Sequence, residues 1–453
     1  MTLSSDNRQF YKTLVGIALP IALQSVVSSS LTLLDNLMVS KLGELSLTSV
    51  GLATQNFMIE WLLIFGFCSG CNTFFTQFWG VEDIKSIKKV IGIALSTCMV
   101  FASIFFIAAF FFPVSIMSLY TNSPEAAELG AVYLKIAAVN FLLIAVIQPF
   151  SEALRATRQT SIPMYISIAS FFTDVVFNYL LIFGKFGFPR LGVAGAAIAT
   201  VIARSLETLL TLYCVFVRNN VLKGKIREYF SFSRSFTIRV YKNAFVTTIN
   251  ETVWSMAVVA QNAAYGHIGV TEYAAVQASV TIMDLFQMAC FCIGDAAMIL
   301  IGASLGRNDI DEARKISKKL IKTGIALSVF MAILLILLNK PLISLFSLSE
   351  IGKGYAEKLM IVRAVYLPVN LINGLLISGF FRAGGDTKFP AICEGCLMWL
   401  YAVPAAFIFS ILIPLPVHFV LTIVQTEGYI KLIIMGKRFI SGKWLNNMIE
   451  DMQ

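Results

Sequence analysis

Long apolar runs separated by short polar gaps recur along the whole chain. A helix needs roughly 20 predominantly apolar residues to cross the hydrocarbon core of a bilayer. Runs of that order lie at 14–40, 47–79, 90–112, 130–153, 161–184, 191–217, 240–266, 273–304, 320–340, 357–381, 388–412 and 413–436. Several are long enough to tilt or bend. The pattern predicts an all-α integral membrane protein with twelve transmembrane helices. The least marked boundary is the last, where Pro414 and Pro416 mark a turn between the eleventh and twelfth runs.

The polar gaps sort into two sides. With the N-terminus inside, the inside segments hold 26 of the Lys and Arg residues. The outside segments hold Lys41, Lys185, Arg190, Lys340, Lys353 and Lys358. Positive charge accumulates on the cytoplasmic side of membrane proteins, so both termini are expected in the cytoplasm. The polar start, MTLSSDNRQFYK, has no cleavable signal pattern and is expected to stay inside. The expected location is the cell membrane, crossed many times.

The two halves resemble each other. Gly80, Asp83, Ile84, Lys88 and Lys89 recur 226 positions on as Gly306, Asp309, Ile310, Arg314 and Lys315. LRATRQTSIP, 154–163, recurs as FRAGGDTKFP, 381–390, where Arg155, Ala156, Thr160 and Pro163 become Arg382, Ala383, Thr387 and Pro390. Unrelated segments at nearly one offset signal an internal repeat. The longest polar stretch, RNNVLKGKIREYFSFSRSF, lies between the halves. The expected organisation is an N-terminal lobe at 1–217, a cytoplasmic linker at 218–239 and a C-terminal lobe with a cytoplasmic tail at 240–453. Six helices return a chain to its starting side. The two six-helix lobes are therefore expected as parallel repeats, related by a pseudo-two-fold axis along the membrane normal.

Composition narrows the function. Hydrophobic residues make up 57% of the chain and charged ones only 13%, against about 25% charged in soluble domains. The net charge of +9 does not signal nucleic acid, because the basic residues sit in the gaps between apolar runs. No GxxxxGK[ST] loop is present to cradle a nucleotide phosphate. The only histidines, His267 and His418, are too far apart in sequence for an HExxH site. The chain is not expected to be an enzyme or to hold a cofactor. Cys68 and Cys71 form one CxxC pair and Cys393 and Cys396 another, with Cys98, Cys214, Cys290 and Cys292 elsewhere. With no histidine beside them, they read as small apolar residues of embedded helices.

Candidate chemistry begins at Asp35, inside the first apolar run. An ionised carboxylate at the centre of a membrane helix costs roughly 2.5–3.5 kcal/mol or more. It must face a polar cavity, hold a cation or carry a proton. In the fifth run, Asp174 and Asn178 are four apart and share a helix face. In the sixth, Thr200 follows a small-residue stretch that lets helices approach closely. Asp35, Asp174, Asn178 and Thr200 are all oxygen donors of the kind that a proton or a hard cation such as Na⁺ takes. The plain alternative is that they satisfy one another. Pro20, fifteen residues before Asp35, removes a backbone hydrogen bond and permits a hinge in the first helix; a static kink is the alternative. Glu251, early in the second half, is a secondary candidate for a C-lobe site, against a structural pair with a neighbouring helix. Arg204 and Glu207, three apart, read as a local ion pair. Glu60, Asp284, Asp295, Arg363 and Glu394 are further embedded polar residues.

The stretches LPIALQSVVSSSLTLLDNLMVSKLG (19–43), TQFWGVEDIKSIKKV (76–90), LGVAGAAIAT (191–200), FFRAGGDTKFP (380–390) and KRFISGKW (437–444) resemble the multidrug and toxic compound extrusion (MATE) family. The resemblance covers nearly the whole chain. It implies a two-lobed antiporter that exports small organic compounds, often cationic and amphipathic, against inward Na⁺ or H⁺. It implies that Asp35 joins Asp174, Asn178 and Thr200 in an N-lobe cation site. Family members more often carry Asn at the first of the two fifth-helix positions, where this chain has Asp174, and this leaves Na⁺ against H⁺ open. Some members pair a seventh-helix Glu, matched by Glu251, with a tenth-helix Asp; the tenth run here has Asn370 and Asn373 instead. Family likeness also implies a monomer embedded in the lipid bilayer. The alternative function is a flippase for lipid-linked substrates from the same superfamily. The natural cargo is not readable from the sequence.

Overall fold

The computed structural model describes residues 7–218, 220–346, 348–413 and 415–452, without the side chains of 289, 290 and 451. Pro414 and the Cys290 side chain therefore lie outside the described residues. Every long element is a helix. In the first half these are α1 (Asn7–Ser40), α2 (Glu44–Gly80), α3 (Ile84–Phe111), α4 (Pro124–Ala137), α5 (Val139–Ala156), α6 (Ser161–Phe183) and α7 (Val193–Leu212). In the second half they are α8 (Arg234–Gly266), α9 (Val270–Gly306), α10 (Ile310–Leu337), α11 (Glu350–Gly374), α12 (Lys388–Leu397) and α13 (Val417–Ile440).

Among the described residues, eleven helices are long and apolar enough to cross a membrane. The twelfth is α8. It has 33 residues, but Asn243, Asn250 and Glu251 make it more polar than the rest. The fourth apolar run is covered by two helices, α4 and α5, joined at Ala138. Helices α7, α11 and α12 continue into π-helical turns at Tyr213–Val217, Leu375–Phe381 and Met398–Ala402.

The repeated motifs have a physical basis. Each G-x-x-D segment ends one helix and starts the next through a residue in the left-handed region, Glu82 at φ 58° and Asn308 at φ 60°. The following Asp then caps the new helix. Asp83 accepts from the Ser86 amide at 3.0 Å and Asp309 from the Glu312 amide at 2.9 Å. The second motif places Arg158 at φ 60° and Gly385 at φ 67°. The halves thus share their turn geometry as well as their letters.

By packing, Leu23–Thr248 forms one compact unit, and the described residues up to Ala22 and from Ile249 onward form the other. The boundaries fall inside α1 and inside α8, not in the polar linker. They are 226 positions apart, the same offset as the sequence repeat. Along α1, Phe10, Leu14, Ile17, Ala18 and Ile21 are buried at helical spacing. They join the core that contains Ile301, Phe380 and Trp444. Past Ile21, α1 has a single buried residue, Val39. Pro20, buried at the changeover, has no N–H to give to the carbonyl four residues earlier.

Candidate functional site

The first-half unit gathers its polar residues from α1, α6 and α7. Asp174 and Asn178, one turn apart on α6, are 0% and 1% exposed. Asn178 spends both amide hydrogens on acids. Its Nδ2 donates to Asp35 Oδ1 at 2.8 Å and to Asp174 Oδ2 at 2.7 Å. One side chain therefore ties α1 to α6. Asp174 Oδ1 and Asn178 Oδ1 are buried and, among the described residues, have no hydrogen-bond partner. Unpartnered acceptors buried together are costly, and a proton or a metal cation is the kind of ligand that removes the cost.

Thr200, on α7, donates to the Ala196 carbonyl of its own helix at 3.1 Å. This leaves its lone pairs available. It stands beside Asp174, and Tyr133 of α4 stands beside it in turn. Arg204, one turn further along α7, pairs with Glu207 at 2.7 Å. Its guanidinium is also close enough to act electrostatically on Asp35 and Asp174. It thus acts on the acid pair as well as on Glu207, a role beyond the local ion pair expected from spacing. Among the described residues no three His, Cys, Asp or Glu side chains group as metal ligands. Any metal here would need the amide and hydroxyl oxygens of Asn178 and Thr200.

A polar network holds α1 just past Pro20. Gln24 Nε2 donates to Ser167 Oγ at 2.9 Å, and Arg155 Nη2 donates to Gln24 Oε1 at 2.9 Å. Arg155 also pairs with Glu152 at 3.1 Å, and Asn72 Nδ2 reaches the same carboxylate at 3.1 Å. Gln24 and Tyr133 were not anticipated. Their signal was available in the sequence: each is a polar-tipped residue inside an apolar run.

In the other unit, Glu251 is ion-paired with Arg382, the repeat partner of Arg155. Its neighbour Asn250 donates to Glu394 Oε2 at 3.1 Å. Lys431 bridges Glu394 at 3.0 Å and Glu427 at 3.2 Å. Asn373 donates to the Gly428 carbonyl at 2.8 Å. Glu251 thus has a direct ion pair, whereas Asp174 is bonded by the Asn178 amide. Cys68 and Cys98 lie 3.7 Å apart through sulfur, and Cys393 and Cys396 are less buried. Two surface grooves of about 450 and 500 Å³ run along α3 and contain none of the acid-site residues. Between the halves, the linker docks through Lys88 and Glu228 at 2.7 Å. The hydrogen bond from Lys88, joined by the Lys225 amide, holds the Glu228 carboxyl below its ordinary range.

Comparison with known proteins shows the family and the fold. The MatE family model matches twice, over residues 20–180 and 244–408. The chain is 24% identical over 414 residues to the uncharacterized transporter YisQ of Bacillus subtilis (strain 168), covering 91% of this chain and 90% of that protein. It is 25% identical over 413 residues to the probable multidrug resistance protein NorM of Thermotoga maritima, covering 88% and 85%. Its fold matches a crystal structure of MATE in the bent conformation with a TM-score of 0.86 at 20% identity, over 97% of each chain.

Proposed function

This chain belongs to the MatE family of transporters, and from that premise we propose that it exports small organic compounds in exchange for Na⁺ or H⁺. The observation that carries the coupling is the Asp35–Asn178–Asp174 bridge with its two buried, unpartnered oxygens. The cation enters from outside and binds at Asp35 and Asp174, with Asn178 and Thr200 as the neutral ligands if the ion is Na⁺. Binding neutralises Asp35, which then attracts the Asn178 amide less strongly. The tie between α1 and α6 loosens, and α1 is free to bend at Pro20. A cation and a cargo that favour opposite states of the same lobe displace each other.

The proposed exporter sits in the cell membrane with both termini in the cytoplasm, as a monomer. The flippase reading is set aside because two basic groups of the first-half unit are already engaged, Arg204 by Glu207 and Arg155 by Glu152.

The test is dye efflux from proteoliposomes under an imposed Na⁺ or proton gradient. Asp35→Asn keeps the size and the hydrogen bonding of the side chain but cannot release a charge. It is expected to abolish gradient-driven efflux while the protein still elutes as a monodisperse species. Wild-type efflux in that variant would remove Asp35 from the mechanism.

A further inference from the structure

Glu60 lies in the second apolar run, on α2, and none of the steps above uses it. It is 0% exposed. Among the described residues, neither Oε1 nor Oε2 has a hydrogen-bond partner. A buried carboxylate ordinarily collects donors or an ion partner, because an isolated buried charge is prohibitively costly. Asp35 and Asp174 share the Asn178 amide, and Glu152 has Asn72, Gln148 and Arg155. Glu60 has nothing of the kind.

Charged side chains on the helices that pack against α2 are engaged elsewhere. Helix α2 packs against α3, α4 and α5. On α3, Lys88 is held by Glu228. On α4, Lys135 lies over the Phe110 ring and Tyr133 stands by Thr200. On α5, Arg155 and Glu152 hold each other. One turn back on α2, Asn56 gives its amide to the Ala53 carbonyl at 3.2 Å. The charged group that acts on Glu60 is Arg204, which also acts on Asp35 and Asp174 and spends Nη1 on Glu207.

Counting charges sharpens the point. With Glu207 matched to Arg204, three further carboxyls feel the same guanidinium: Asp35, Asp174 and Glu60. A single coupling cation at the Asp35–Asp174 pair leaves Glu60 unbalanced. An organic cation would need open space, and this side chain has none. A metal cation would need several oxygens beyond the two that Glu60 brings. A proton needs neither.

We propose that Glu60 is a second exchangeable-proton site of the first-half unit, filled and emptied separately from Asp35 and Asp174. This rests on the reading of the chain as a gradient-driven exporter. In the enclosed state the proton is bonded to a Glu60 oxygen. When the transport cycle admits water to α2, that O–H bond breaks, the proton passes to water and the electron pair stays on the carboxylate, on which Arg204 acts electrostatically. The transporter then moves one more proton per cycle than its Asp35–Asp174 pair alone would carry.

The test is pH-difference infrared spectroscopy of the full-length protein in lipid nanodiscs, between mildly acidic and mildly alkaline buffer. The wild type is expected to show the carbonyl stretch of a buried protonated carboxyl that disappears at alkaline pH. Glu60→Gln should lose the amplitude of one carboxyl, Asp35→Asn should keep that component, and Glu60→Asp should shift it without losing it. A spectrum unchanged in Glu60→Gln overturns the proposal, as does a Glu60 band that does not respond to pH. If Glu60→Gln fails to fold, Glu60→Asp decides by the presence or absence of the shift. The band is read without any gradient or cargo. Loss of the coupling reading in the efflux assay therefore leaves it intact, and an unchanged band beside normal coupled efflux removes Glu60 alone.

Discussion

At the scale of single residues, the candidate site turns on an amide with two hydrogens and two acids to receive them. Asn178 bonds both Asp35 and Asp174. Hydrogen bonds to charged groups contribute about 1.5–3 kcal/mol, so losing one of them changes cation affinity by roughly 10- to 100-fold. Asn178→Leu is therefore expected to lower the H⁺ concentration for half-maximal efflux by that order, because both amide bonds favour the ionised acids, or to raise the Na⁺ concentration if Na⁺ is the ion, because the Oδ1 ligand is lost. An unshifted concentration dependence would show that the amide is a spacer only. Asp35 and Asp174 were legible as acids in apolar runs, and the spacing of Asp174 and Asn178 put them on one face. Which group would serve both acids was not legible, because it depends on how α1 lies against α6.

At the scale of elements, close backbone approach explains why certain stretches carry glycine. A Cβ at Gly384 would lie 1.7 Å from the Trp444 carbonyl oxygen, and one at Gly92 would lie 1.8 Å from that of Tyr229. The first lets the C-terminal tail fold onto its unit, where Trp444 stacks on Phe380 and Phe439 and Arg438 holds Asp386 by two bonds of 2.8 and 3.1 Å. FFRAGGDTKFP and KRFISGKW, far apart in sequence, are thus two sides of one contact. Overpacking typically costs about 1–3 kcal/mol. Gly384→Ala is expected to lower the melting temperature in a detergent thermal-shift assay. Gly16→Ala, in open space on α1, is expected to leave it unchanged or raise it, since Gly is a weak helix former. Equal effects from the two would refute the packing role.

At the scale of the whole molecule, the repeat governs both the turns and the unit boundaries. Each unit takes its first helix segment from across the repeat: α1 up to Ala22 packs with the second half, and α8 up to Thr248 packs with the first. Two doubly used helices make α1 a natural carrier of change from an ion site to the rest of the chain. The driving ion is a property of the complete cycle. Efflux should respond to a Na⁺ gradient at fixed pH or to a pH gradient without Na⁺. A response to neither, in vesicles that accumulate dye under another pump, would end the antiport reading. Residue types alone leave the choice between the two ions open.

The sequence by itself determined the helix count, the repeat, the candidate acids and the family, because each follows from local periodicity, charge spacing or short motifs. α8 shows the limit of hydropathy: its polar residues lower its apolar signal, yet Asn243 and Asn250 are buried with partners. Tertiary structure alone decided that Asn178 bridges the acids, that Glu251 already has Arg382, that Glu60 has no partner, and that α1 divides between units near Pro20. Those outcomes depend on which helix faces meet, and a chain's local pattern carries the face but not the neighbour it meets.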